Sequence, residues 1–130
     1  MTGFHRLLNF SALILVSGAC IAGPKPDPEK GKATFAVMCS VCHSTQVSGG
    51  PIVGPNLLGV VGRKAGSQPE FTQYTEALKA YGVTWSVKTL DKFLINPSVS
   101  VPGTAMPMFI PDNKTRADVV AYLATLKKPE

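Results

Sequence analysis

The chain has 130 residues, 45% of them hydrophobic, with 13 Lys and Arg against 8 Asp and Glu and three cysteines. That length holds one domain at most, and the formal charge of +5 comes without a basic run interleaved with aromatics, which argues against a nucleic-acid-binding protein. A basic balance of this size suits acidic partners or anionic surfaces but names none.

The first 22 residues read as an export signal. A positively charged start ending at Arg6 precedes a mostly apolar run over residues 7–16, broken only by Asn9 and Ser11, and small residues follow at Ser17, Gly18, Ala19 and Ala22. Residues 7–22 fall short of the ~20 that a membrane-spanning helix needs, so cleavage after Ala22 is expected. This leaves a linker over residues 23–28 and a folded domain over 29–130, delivered to the periplasm or an equivalent exported compartment. Two alternatives stay open. Ser17-Gly18-Ala19-Cys20 can be read as a lipoprotein cleavage box, though an aliphatic residue is expected where Ser17 sits, and an uncleaved leader can serve as a membrane anchor. Cleavage removes His5, Arg6 and Cys20, leaving twelve Lys and Arg against eight acids, two cysteines and one histidine.

Alternate prolines make Gly23-Pro24-Lys25-Pro26-Asp27-Pro28 an extended linker that then starts a helix: Asp27 is a good N-cap, Pro28 suits the first position, and Glu29 favours the N-terminal dipole. Phe35 and Cys39 share a face with Gly31. A glycine inside a helix costs about 1 kcal/mol relative to Ala, so Gly31 either permits a close helix crossing or is merely tolerated.

The helix leads into Cys39-Ser40-Val41-Cys42-His43. Two thiols three positions apart, followed directly by an imidazole, have the spacing of a c-type haem attachment site. The thiols of Cys39 and Cys42 would add across the two haem vinyl groups, and His43 would become the fifth iron ligand. A thioredoxin-type pair expects a preceding strand, where this chain reads as helix. Structural zinc needs four ligands, and beyond these three only the leader's Cys20 and His5 are on offer. A disulfide is geometrically poor at this spacing in a helix. The expected cofactor is one covalently bound haem c, whose burial enlarges the small core of so short a domain.

Residues 44–55 turn to Ser, Gly, Thr and Pro and read as loop, closed by Gly54-Pro55-Asn56-Leu57; Gly59, Gly62 and Gly66 keep the next stretch irregular. Arg63 within it is either an exposed charge or the neutralising partner of a haem propionate. Residues 72–81 have helical character and stop at Gly82. A clearer helix follows, capped by Thr84 or Ser86, with Val87, Leu90, Phe93 and Leu94 on one face and Asn96-Pro97 as its terminator. Trp85, the sole tryptophan, is either plain core or a propionate's N–H donor. Residues 98–114 read as a loop with prolines at 102, 107 and 111. In the last helix Thr115-x-x-Asp118 resembles a capping box, Val119, Tyr122, Leu123 and Leu126 form an apolar stripe, and Lys127-Lys128 favour the C-terminal dipole. No strand is predicted.

With His5 gone, His43 is the only histidine, and the sixth iron position falls to methionine, lysine, water or nothing. Met38 sits beside Cys39 on the attachment helix, whereas Met106 and Met108 lie in a proline-braced loop that can fold over the far side of the haem. From residue 31 to residue 128 the chain resembles the class I cytochromes c, the branch holding mitochondrial cytochrome c and its bacterial periplasmic relatives. The resemblance rests on Cys39-x-x-Cys42-His43, Gly54-Pro55-Asn56-Leu57, Gly62-Arg63-Lys64, Gly82-x-Thr84-Trp85, Asn96-Pro97, Pro102-Gly103-Thr104-x-Met106, and Thr115-Arg116-Ala117-Asp118 leading to Ala121-Tyr122-Leu123.

That resemblance implies an all-α fold of about three to five helices, with long loops wrapped around one covalent haem. It implies Met106 as the sixth ligand, Met108 as a packing residue, and the Pro55 carbonyl as acceptor for the His43 ring. Arg63, Tyr74 and Trp85 would serve the propionates, and Gly31, Phe35 and Tyr122 the contact between terminal helices. The implied function is that of a monomeric one-electron carrier, not an enzyme, shuttling between membrane redox complexes or other redox proteins. The alternative is a haem enzyme or gas sensor with an open or labile sixth position. Two departures stand out. Phe93 replaces a tyrosine that usually bonds the methionine sulfur, and Met38, Ser98, Val99 and Ala105 occupy positions where mitochondrial members carry lysines.

Overall fold

The computed structural model describes residues 23–129, so the export signal expected over residues 1–22 lies outside it. Among the described residues five helices follow one another: α1 (Pro28–Met38), α2 (Glu76–Ala80), α3 (Val87–Ile95), α4 (Pro97–Ser100) and α5 (Asn113–Thr125). Among the described residues the only β-type pairing is an isolated antiparallel bridge between Lys64 and Thr84, so the all-α expectation holds.

Local chemistry sets most helix ends. The Asp27 carboxylate accepts the N–H groups of Glu29 at 3.0 Å and Lys30 at 3.3 Å, which starts α1 as expected. Of the two candidate caps of α3, Ser86 is the one used, and its reciprocal bonds with Thr89 close a capping box. Three boundaries depart from the sequence reading. Helix α2 covers only the second half of residues 72–81, because the Thr75 hydroxyl accepts the N–H of Leu78 and fixes the start one residue later, at Glu76. The Asn96-Pro97 step that ends α3 also begins α4 inside the expected loop, with the Asn96 side chain accepting from Val99 N–H. Helix α5 starts earlier than the Thr115 capping box predicts. Asp112 is its N-cap, accepting from Thr115 N–H at 2.7 Å, and Asp118 is left for a different task.

That task is joining the two ends of the domain. Asp118 Oδ1 accepts the backbone N–H of Asp27 at 2.6 Å, and both its oxygens lie 2.6 Å from Lys114 Nζ. Helices α1 and α5 cross at Gly31, where a Cβ would fall 1.9 Å from the Asp118 carbonyl oxygen, so only glycine allows this approach. One turn on, Phe35 packs against Tyr122 with ring centroids 5.4 Å apart. The core continues from Phe35 through Leu90, Phe93 and Leu94 of α3 to Val119, Val120 and Leu123 of α5.

The loop carrying Met106 is tied down at its far end. Ile110 N–H donates to the Leu94 carbonyl at 2.7 Å. Arg116, only 4% exposed, donates to the carbonyls of Ile110 and Pro111 at 3.0 Å each, to Asp91 at 2.8 Å and to Asn113 at 2.8 Å. A guanidinium is buried here because its fork meets four acceptors at once.

Candidate haem-binding site

Helix α1 ends at Met38, and the chain continues as a tight turn in which the N–H groups of Cys42 and His43 both return to the Cys39 carbonyl, at 3.0 and 2.9 Å. Cys39, Cys42 and His43 thereby face one apolar cavity of about 390 Å³. Close-packed interiors hold few voids larger than a water molecule, so a space this large walled by core side chains is a binding space. All eight residues singled out from the sequence line it: Cys39, Cys42, His43, Pro55, Arg63, Tyr74, Trp85 and Met106. Leu57, Leu90, Phe93 and Leu94 supply apolar walls.

Cys39 and Cys42 are free thiols, and burial, with Cys42 alongside, pushes the Cys39 thiol up to about 11. No cluster of three or more His, Cys, Asp or Glu able to hold a bare metal ion occurs among the described residues.

His43 Nδ1 lies 2.8 Å from the Pro55 carbonyl, which can only accept, so the proton sits on Nδ1 and the lone pair on Nε2. Burial lowers the His43 pKa, the Pro55 bond opposes this, and the Arg63 charge lowers it further. The net result is a neutral, oriented imidazole, the form a metal binds. Two residues given no role from the sequence build this arrangement. A Cβ on Gly54 would fall 2.4 Å from His43 Cε1, so glycine is what lets the loop lie against the ring. Asn56, 8% exposed, accepts the Leu58 N–H at 2.8 Å and donates to the carbonyls of Gln46 and Gly49, holding the loop that carries Pro55. The loop's Gly-Pro-Asn composition signalled a turn, but not what the turn packs against.

Arg63 is half-buried rather than free in solvent. It donates to Asn56 O at 2.9 Å and Gln68 Oε1 at 2.8 Å. Tyr74 is packed edge-on against Phe71, and its hydroxyl takes a long contact of 3.4 Å from Gln68 N–H. Trp85, 8% exposed, packs against both Tyr81 and Phe93, which also touch each other. Arg63, Tyr74 and Trp85 therefore place a guanidinium, a phenol and an indole on one apolar cavity, a donor set suited to carboxylates on an otherwise apolar group. Met106 packs against the core and enters the cavity from the loop between α4 and α5. Two sulfurs for covalent attachment, a neutral imidazole, a thioether and an apolar wall with a few donors match what haem c requires.

The family model for cytochrome c matches residues 28–127. The chain is 45% identical over 116 residues to cytochrome c2 of Rhodomicrobium vannielii, covering 88% of this chain and 89% of that protein. It is 43% identical over 107 residues to cytochrome c2 of Rhodopila globiformis, covering 82% and 99%, and 43% identical over 104 residues to cytochrome c of Tetrahymena pyriformis, covering 79% and 92%. With the attachment turn, the oriented histidine and the apolar cavity in place, the chain belongs to the cytochrome c family, as a class I member that carries covalently bound haem c.

Proposed function

We propose that this protein is a one-electron carrier in which His43 and Met106 are the axial ligands of the haem iron, and that it moves electrons between larger redox complexes in an exported compartment. The observation that carries the reading is that His43, with Nδ1–H fixed on Pro55 O, and Met106 line the same cavity as both attachment cysteines. Bound haem supplies a ferric/ferrous couple, whose potential is raised by a thioether relative to a second imidazole. The chain's own residues do the rest. The Pro55 carbonyl holds the ring so that its Nε2 lone pair keeps one direction, and Leu90, Phe93 and Leu94 exclude water from the cavity. The far end of the Met106 loop is anchored at Ile110, which is bonded to Leu94 of α3 and Arg116 of α5.

Docking would use exposed Ser98, Val99 and Ala105 beside the Met106 loop, a surface with few charges. Among the described residues no helix is long and apolar enough to cross a membrane, and the proposed mature chain begins near Gly23 as a soluble monomer. The test is the visible spectrum of the reduced, haem-loaded protein with and without carbon monoxide. An unchanged spectrum supports a closed His43/Met106 iron, whereas prompt formation of a carbonyl adduct overturns it in favour of an enzyme or gas sensor with a labile sixth position.

A further inference from the structure

We propose that Met108 is a second thioether ligand for the same iron, held in reserve beside Met106; the inference rests on the reading of Met106 as the resting ligand. Residues 104–108 all line the cavity, but burial alternates along the segment. Ala105, Pro107 and Phe109 are exposed, while Met106 and Met108 are half-buried and Ile110 is buried. Period-two burial is the mark of an extended chain, in which side chains two apart point the same way. The two thioethers therefore face the same space.

They are not equivalent. Met106 packs against the buried core and Met108 does not, so Met106 is the deeper sulfur and the one seated at rest. The segment between them is free to shift. Thr104 N–H is bonded to Val101 O at 3.0 Å and Ile110 N–H to Leu94 O at 2.7 Å, but residues 105–109 make no backbone-to-backbone hydrogen bond among the described residues. Their one backbone tie is a weak 3.4 Å contact from Met106 N–H to the Thr104 hydroxyl. Bringing Met108 to the place of Met106 requires a shift of about 6.6 Å along an extended chain. The long, unbranched methionine side chain can absorb part of that.

Rival protein ligands are few. No lysine lines the cavity, His43 is already used, and Met38 is tied to the attachment turn one residue before Cys39. The exchange balances without a redox partner: the iron bond to the Met106 sulfur breaks, the bond to the Met108 sulfur forms, and no electron or proton moves. A tethered thioether acts at an effective concentration on the order of millimolar, so it recaptures the iron before a dilute external ligand does.

The experiment uses the full haem-loaded protein and the volume-conserving variants Met106→Leu, Met108→Leu and the double variant. The readouts are the far-red absorption that ferric haem shows only with a thioether sulfur ligand, and the rate of carbon monoxide uptake after reduction. Met106→Leu is expected to keep the thioether band and to take up carbon monoxide about tenfold more slowly than the double variant. The double variant should lack the band. Loss of the band in Met106→Leu, with uptake as fast as in the double variant, overturns the assignment of Met108 while leaving that of Met106 intact. Absence of the band from the unmutated protein, or its loss in Met108→Leu alone, instead overturns Met106 as the resting ligand. A second measurement leaves residue 106 untouched: imidazole should bind ferric Met108→Leu faster than the unmutated protein, and equal rates count against a reserve ligand.

Discussion

Replacing Gly31 by alanine sets two effects of opposite sign against each other. Helix propensity favours alanine by about 1 kcal/mol inside α1. Against this, the new Cβ would meet the Asp118 carbonyl oxygen at 1.9 Å, its carbon at 2.4 Å and Val119 N at 2.9 Å. All three are backbone atoms, so no side chain can turn aside, and α1 must move away from α5 by roughly an ångström or more to reach normal contact. Overpacking of this kind costs about 3 kcal/mol or more at its upper end. The displacement also loosens the 2.6 Å bond from Asp27 N–H to Asp118 and the tilted packing of Phe35 on Tyr122. A hydrogen bond to a charged group is worth about 1.5–3 kcal/mol. Sterics therefore win, for a net loss of about 2–4 kcal/mol, or a urea midpoint lower by roughly 1–2 M. The assay is urea unfolding of the haem-loaded protein, with Ala33→Gly at an exposed position of α1 as the propensity control, expected to cost about 1 kcal/mol. Both exchanges should destabilise; a Gly31→Ala protein as stable as its parent would refute the close crossing.

Arg116→Lys keeps the charge but loses the fork that binds Ile110 O, Pro111 O, Asp91 and Asn113, and should cost about 2 kcal/mol in the same assay. Asp91→Asn should cost under about 1 kcal/mol, because the amide oxygen still accepts the Arg116 Nε–H and the Asp91 side chain is 41% exposed. The Lys114 ammonium, followed by the Asp27 N–H, holds Asp118 below its usual carboxylate pKa. Its stabilisation is complete above the unfolded pKa near 4 and is lost as pH falls through the lower folded value. Asp118→Asn should accordingly flatten the fall of the urea midpoint below about pH 4. Gly54→Ala drives a methyl into the His43 ring and should weaken the hold of the histidine on iron by about tenfold or more, seen as earlier loss of the ligated spectrum on denaturation. Docking through exposed Ser98, Val99 and Ala105 should leave the electron-transfer rate within about threefold between about 10 and 200 mM salt; a steep fall would mean that lysines elsewhere steer it.

Where the signal is local, the sequence reading and the structure agree. Asp27-Pro28 starts α1, Ser86, one of the two expected caps, starts α3, and Cys39-Ser40-Val41-Cys42-His43 forms one turn, because caps and turns act within four residues of chain. The same locality misled at α5. Thr115 and Asp118 have capping-box spacing, yet Asp112 caps the helix and Asp118 answers to Asp27, 91 positions away. Short α4 was hidden because Asn96-Pro97 looks the same whether it ends one helix or also begins another.

By itself the sequence determined the chemistry: two thiols and an imidazole within five residues, one histidine beyond the expected leader, methionines in a distant proline-braced loop, and the order of motifs that marks the family. Only the tertiary structure decided how these parts meet. It placed the Pro55 carbonyl 2.8 Å from His43 Nδ1, made Gly54 a condition for that contact, buried Arg116 as the tie on the Met106 loop, and turned Met106 and Met108 toward the same cavity. Donor identity and short spacing are properties of the chain. Contacts between segments dozens of residues apart depend on which surfaces the core brings together, and hydrophobic burial, being non-directional, leaves no local mark of that choice.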